Sequence, residues 1–225
     1  MLGTVVNTLA ILVGGILGAL LGTGIKEKSR ETVMHGLGLS VAVIGLMMAL
    51  RTANPVIVIG SLVLGGLAGE WTDIEGRLYR AAAQLERRYA SGDGTLTRGF
   101  VTASLVYCVG AMAITGSLES GMTGNHATLY AKAMIDGVSA VVFASTLGIG
   151  VALSSLSVLA YQGAITLLAA WISQWLTPAA VTEMTATGGI LILAIGLNVL
   201  EIKRIRVGNL LPAIPVAVML ALVVG

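Results

Sequence analysis

Charged side chains are what this chain has least of. Lys, Arg, Asp and Glu make up 11% of its 225 residues, against roughly 25% in an ordinary soluble domain, which excludes a conventionally solvated surface. Cysteine is all but missing: Cys108 stands alone in "TASLVYCVGAMAITG". It has no partner for an intramolecular disulfide and reads as a small apolar packing residue rather than a redox centre. The two histidines, His35 and His126, are far apart, and the nine methionines are scattered along no metal pathway; the sequence assigns no metal ligands. Gly-x-Ser-x-Gly is absent, and "SGDGTLTRGF" has the glycines of a turn at the wrong spacing for a phosphate-cradling loop. The chain is therefore expected not to be an enzyme, to need no cofactor and to have no nucleic-acid partner.

What is there is apolar. Hydrophobic residues make up 56% of the chain and the mean hydropathy is +0.94, which marks an integral membrane protein in contact with the lipid bilayer. Apolar stretches recur over the whole length, each long enough to cross the ~30 Å hydrocarbon core as a helix, with none of the alternation of a barrel strand. The expected fold is therefore all-α, a polytopic transmembrane bundle. Met1 leads straight into "LGTVVNTLAILVGGILGALLG" with no basic residues ahead and no small-residue cleavage site behind, so this stretch reads as a retained helix rather than a signal peptide.

Apolar windows between charge and breaker clusters predict eight spans, near residues 2–23, 32–50, 55–70, 97–117, 128–148, 151–175, 186–200 and 208–225. Between the third and fourth, residues 71–91 place Trp71, Ile74, Leu78, Leu85 and Tyr89 opposite Arg77, Arg80, Arg87 and Arg88, the pattern of a cytoplasmic amphipathic helix lying on headgroups. With eight spans, one set of loops holds eleven of the basic residues: Lys26, Lys28 and Arg30, then Arg77, Arg80, Arg87, Arg88 and Arg98, then Lys203, Arg204 and Arg206. The other side holds only Arg51 and Lys132. Basic loops stay in the cytoplasm, so both termini are expected outside.

A repeat is also expected. Ile44-Gly45-Leu46 matches Ile195-Gly196-Leu197, and Gly60-Ser61-Leu62 matches Gly208-Asn209-Leu210. The basic cluster lies in the first loop of residues 1–70 and in the second loop of residues 151–225, the swap that two oppositely inserted copies need. The predicted organisation is a first three-helix repeat over 1–70, the surface helix over 71–91, a central two-helix unit over 97–148 and an inverted second repeat over 151–225. Inverted repeats are characteristic of secondary transporters, whose sites lie where Gly- or Pro-interrupted helices free backbone groups near the midplane. "GNLLPAIP" over 208–215 fits such an interrupted helix. A plain packing kink fits it as well.

Polar side chains within spans are the candidate site. Asp136 follows Lys132 by one helical turn, so the two can neutralise each other near the outer helix end. Alternatively, Asp136 is a titratable ligand for a cation or proton, and Lys132 occupies the site when the ligand is absent. Asn7, Gln162 and Asn198 each bring an amide whose hydrogen-bonding sites lipid cannot fill. Asn209 sits in the interrupted helix, and Ser145 follows Asp136 on the same span. The expected substrate- or ion-binding set is Asp136, Asn7, Gln162, Asn198, Asn209, Lys132 and Ser145. The small-residue steps Gly14, Gly18 and Gly22 serve helix packing and also allow a homo-oligomer.

Together, "GTVVNTLAI", "GDGTLTRGFVTASLVYCVGAMAI", "LYAKAMIDGVSAVVFASTLGIGVALSS", "YQGAITLLA" and "IGLNVLEIKRIRVGNLLPA" resemble the bacterial membrane-protein family called domain of unknown function 554, the YdfK-like proteins. The likeness covers nearly the whole chain and implies a multi-pass protein of the bacterial cytoplasmic membrane, with no established substrate. Its matching polar positions are Asn7, Asp93, Arg98, Lys132, Asp136, Ser145, Gln162, Asn198 and Asn209. The function expected is a secondary transporter or channel-like carrier of a small ion or polar solute; the alternative is a non-transporting membrane scaffold or regulatory protein.

Overall fold

The computed structural model describes residues 1–22, 27–77, 80, 94–108, 111–173 and 176–224. Lys26, Asp93 and most of the expected surface helix over 71–91 lie outside the described residues. Eleven helices are described: α1 (Leu2–Gly22), α2 (Glu27–Ala49), α3 (Pro55–Thr72), α4 (Thr95–Cys108), α5 (Ala111–Met122), α6 (Ala127–Leu147), α7 (Gly150–Leu167), α8 (Ala169–Ile172), α9 (Pro178–Val199), α10 (Val207–Leu210) and α11 (Ala213–Val224). Among the described residues, seven spans are long and apolar enough to cross a membrane, α10 and α11 together forming the last. Helices α4 and α5, where one continuous span over 97–117 is expected, are bent by 61° at a short break.

Local chemistry fixes several boundaries. Asn54 caps α3, its side chain accepting from the Val56 N–H at 3.2 Å, and Pro55 takes the first helical position, where a missing N–H costs nothing. Thr177 and Pro178 repeat this arrangement at the start of α9. That cap corrects the expected start at 186: the segment "PAAVTEMT" is helix, and Glu183 lies inside it. At the other end of the chain, Pro212 and Pro215 have no N–H to donate, and the helix breaks between α10 and α11.

The chain divides into two compact units. The first comprises Met1–Val33, Tyr79–Cys108 and Met112–Ile172, and the second Met34–Leu78, Val109–Ala111 and Ser173–Gly225. In unit 1, α1 packs along α6 with its glycine stripe inward: a Cβ added at Gly14, Gly18 or Gly22 would overlap the carbonyl oxygens of Gly137, Val141 and Ser145 in turn. Contacts that climb both helices together make α1 and α6 parallel. Backbone-to-backbone approach of this kind is what small residues at four-residue steps permit. Against α7 the order reverses, Thr4 meeting Thr166 and Gly15 meeting Ala152, so α1 and α7 are antiparallel. The turn from α6 to α7 runs through Gly148 at φ 74°, a left-handed conformation that glycine adopts without strain.

Unit 2 is built from two hairpins. In one, α2 turns into α3 through residues 50–54; in the other, α9 turns into α10 and α11 through residues 200–206. Helix α2 runs antiparallel to α9, and α3 antiparallel to α11. The turn of each hairpin therefore lies at the open end of the other. Ile57, Ala180 and Ala221 form a buried cluster at one such end.

Candidate functional site

The most polar buried point of unit 1 lies where α1, α6 and α7 meet. Asp136 stands near the middle of α6, with Lys132 one turn before it, and both are at least nine-tenths buried. The Lys132 ammonium donates to Asp136 Oδ2 at 2.6 Å. From α1, Asn7 Nδ2 donates to the same Oδ2 at 3.1 Å and to Gln162 Oε1, on α7, at 3.3 Å. Asn7 and Gln162 are each 0% exposed.

Helix geometry explains why these four residues converge. Lys132 and Asp136 share a face at i,i+4. The glycine stripe pulls α1 onto α6 and leaves the side chain of Asn7 pointing into the three-helix seam. Gln162 and Thr166 repeat at four-residue steps on α7, opposite Asn7 and Thr4 on the antiparallel α1; the Thr4 and Thr166 hydroxyls lie 3.2 Å apart. Both Nδ2 protons of Asn7 are engaged, one by the carboxylate and one by Gln162, so the amide cannot turn over without losing both bonds. Asn7 Oδ1 and Gln162 Nε2 remain buried without a hydrogen-bond partner. A free acceptor and a free donor thus sit beside a buried ion pair, a costly arrangement in an apolar surround.

A second polar layer flanks the cluster in unit 1. Ser139 donates to the Asp136 carbonyl at 3.0 Å and, more weakly, to the Tyr107 hydroxyl at 3.4 Å. Tyr107 is 1% exposed and packs edge-on against Phe143. Among the described residues, no group of three His, Cys, Asp or Glu side chains is placed to hold a metal ion.

The remaining expected ligands are not part of this cluster. Ser145 returns its hydroxyl to the Val142 carbonyl of its own helix at 2.8 Å. Asn198, in unit 2, forms a two-bond clamp on Ile205, donating to its carbonyl at 2.8 Å and accepting from its N–H at 2.7 Å. Asn209, also in unit 2, accepts from the Glu75 N–H at 2.8 Å and donates to Glu70 at 2.7 Å. Asn198 thus fastens the turn that joins α9 to α10, and Asn209 ties α10 to the C-terminal end of α3.

Unit 2 contains carboxylates that the sequence did not single out. Glu183, 2% exposed, accepts from Thr52 Oγ1 and from the N–H groups of Ala53 and Asn54, at 2.5, 2.8 and 3.0 Å. It holds the α2–α3 turn from the start of α9. At the opposite end, Glu75 accepts from the Gly208 N–H at 3.0 Å, while Glu70 pairs with Arg206. Burial pushes the Glu75 carboxyl above its ordinary pKa, partly countered by the Gly208 N–H, Arg204 and Arg206. One signal for Glu183 was present: the Thr177-Pro178 cap moves the helix start far enough back to enclose it.

Comparison with known proteins gives consistent results. A family model described as "Protein of unknown function (DUF554)" matches residues 2–222. The uncharacterized membrane protein YdfK of Bacillus subtilis (strain 168) is 32% identical over 218 residues, covering 95% of this chain and 93% of that protein. The uncharacterized protein YqgA of Escherichia coli (strain K12) is 33% identical over 226 residues, covering 98% and 96%. No solved structure matches. With nearly its whole length matched by the family model, the chain belongs to the DUF554 family, and its helices make it a multi-pass membrane protein.

Proposed function

We propose that this protein is a secondary transporter or channel-like carrier of a small ion or polar solute across the bacterial cytoplasmic membrane, with Asn7, Lys132, Asp136 and Gln162 forming its polar site. One observation carries the reading: an ion pair buried near the middle of a span, flanked by Asn7 Oδ1 and Gln162 Nε2, neither of which has a partner. Intramembrane ionisable groups are costly, and ion or substrate pathways are where they are commonly retained.

Two features of the fold support the architecture such a carrier uses. Helices α1 and α6 are parallel, and α2, α3 and the bent α4–α5 pair lie between them in sequence. If α2 and α3 each cross the membrane, α4–α5 must cross as well, giving eight spans and returning both termini to the same side. The excess of Lys and Arg in the opposite loops supports the outside as that side. The repeat is supported by unit 2. The correspondence of Gly45 with Gly196 also pairs Gly38 with Gly189, and all four glycines stand at close approaches of α2 and α9: Gly45 on Leu193, Gly196 on Ala42, Gly38 on Leu200 and Gly189 on Ala49. Any antiparallel pair exchanges contacts reciprocally; the repeat adds a glycine at the same place in both copies.

The test is flux in proteoliposomes against a panel of ions and small polar solutes, with wild type beside an Asn7→Ala/Gln162→Ala variant. A solute moved by wild type and not by the folded variant supports the carrier; a folded wild type that moves nothing on the panel overturns it. In a Cys108→Ser background, single cysteines at Arg51 and Lys203 should react with an impermeant thiol reagent from the outside and only after lysis, respectively.

A scaffold reading has its own supporting observation. Asn198 and Asn209 spend their amides on tying together segments of their own unit, as residues that only knit a bundle would. A scaffold predicts no flux and no ligand-dependent stability.

A further inference from the structure

We infer that the site in unit 1 is selective for a monovalent cation that displaces the Lys132 ammonium from Asp136, making Lys132 a tethered competitor of the substrate. This rests on the carrier reading and names its substrate class.

Charge is the first reason. The cluster holds one carboxylate and one ammonium, and the Lys132 Nζ to Asp136 Oδ2 distance of 2.6 Å shows the carboxylate already accommodating a single compact positive charge. A monovalent ion taking that place puts one positive charge against Asp136 and leaves the displaced Lys132 ammonium as the one charge the carboxylate no longer balances. A divalent ion would leave two such charges among apolar helices, which is costlier, and an anion would have to displace Asp136 from the same ammonium.

Donor chemistry is the second reason. Asp136 Oδ2 and Asn7 Oδ1 are hard oxygens, the kind that alkali and ammonium-type cations take, and Asn7 Oδ1 is buried without a partner. Its orientation is imposed. Asn7 Nδ2 is engaged by both Asp136 and Gln162, so the oxygen end of the amide is the end left for a ligand. Gln162 is in this sense a positioning residue. The Thr4 and Thr166 hydroxyls, 3.2 Å apart on the next turns of α1 and α7, extend the oxygen surface along the seam.

Reach is the third reason. Lys132 and Asp136 share one helix, and the lysine head rides on a flexible four-carbon stem with freely turning donors. It can leave the carboxylate without any helix moving. Displacement of a tethered ammonium weakens cation binding by the strength of the contact that is lost, so removing the tether should strengthen it.

The experiment uses the full chain, purified in detergent in choline chloride at fixed ionic strength. Lithium, sodium, potassium and rubidium are tested one at a time by thermal unfolding, and radioactive sodium and rubidium by equilibrium binding. The expected result is that one monovalent ion binds wild type, binds Lys132→Gln at least about tenfold more tightly, equivalent to about 1.4 kcal/mol, and does not bind Asp136→Asn. Magnesium and calcium should give no specific shift. If Lys132→Gln folds only when that ion is present, the proposal is equally supported. Wild-type binding retained in Asp136→Asn, or a folded Lys132→Gln that binds no better than wild type, overturns it. A polar solute or anion that stabilises wild type but not Asn7→Ala, with every monovalent cation inert, would sink the cation assignment and leave the carrier standing. No ligand of either class would sink both.

Discussion

Asn7 and Asp136, 129 positions apart, meet inside unit 1 with the amide nitrogen of one 3.1 Å from the carboxylate oxygen of the other. The contact joins α1 to α6 at the point where Lys132 also reaches the carboxylate, so the amide, the ammonium and the carboxylate depend on one another.

Removing one charge of this cluster should be far worse than removing both. Lys132→Met leaves Asp136 buried and unpaired and should cost roughly 3–5 kcal/mol, whereas Lys132→Met/Asp136→Leu should recover most of that loss. Asn7→Ala should cost only about 1 kcal/mol, in line with interhelical hydrogen bonds in membranes. Unfolding in detergent across the set, combined as a double-mutant cycle, checks this. Additive losses from the two charge changes would contradict it.

Glycines on α1 and α2 should respond oppositely to added volume. A Cβ at Gly18 overlaps the Val141 carbonyl, while one at Gly36 meets nothing within 4 Å. Gly18→Val should lose roughly 1–3 kcal/mol through overpacking. Gly36→Ala should be as stable as wild type or slightly more so, by up to about 1 kcal/mol. Paired melting curves decide the point, and equal behaviour of the two variants would contradict the packing.

Glu183 should be structural rather than transport-linked. Its three bonds all go to residues 52–54, and Glu183→Ala removes the charged acceptor that these part-buried donors share, a loss of roughly 1–3 kcal/mol. Amide hydrogen exchange should quicken at residues 53 and 54, with exchange in unit 1 unchanged. Loss of ligand binding with unaltered exchange would reverse the assignment.

Glu75 should give stability a pH dependence of known sign. Its carboxyl sits above the ordinary value of 4.5 in the folded protein, chiefly through burial. The folded state therefore holds the proton more tightly than the unfolded state does. The stabilisation is full below the unfolded value and is lost as pH rises through the folded one. Comparing melting temperature against pH from about 4 to 7 in wild type and Glu75→Gln, the wild-type curve should fall more steeply above the ordinary carboxylate range. Parallel curves would remove Glu75 as the cause.

How much of this the residues announced depends on where each polar group finds its partner. Asn7, Lys132, Asp136 and Gln162 were legible because lipid offers an amide or a charge nothing, so their presence in spans already implied a meeting. Asn198 and Asn209 gave the same signal and proved to tie segments of unit 2 together, Asn198 to Ile205 in a turn and Asn209 to Glu70 and Glu75 at and just past the end of α3. A span's amide can be satisfied by chain that packs against its end, and composition cannot distinguish the two. Glu183 was missed because "TPAAVTE" is polar enough to read as a loop, although Thr177 and Pro178 cap a helix there. The bend between α4 and α5 has no proline to announce it: none lies between Thr95 and Met122. The glycine stripe of α1 was visible, but not that α6 of the same chain would occupy it.

That stripe also sets an order of events during synthesis. Helix α1 leaves the ribosome well before its covering residues, from Gly137 and Asp136 to Gln162 and Thr166, which are translated more than a hundred residues later. Until α6 and α7 arrive, the newborn helix stands in the bilayer with its narrow glycine groove bare and its asparagine unanswered. A chain halted before residue 127 would keep it so, presenting membrane quality-control proteases with a polar mark that the finished protein conceals.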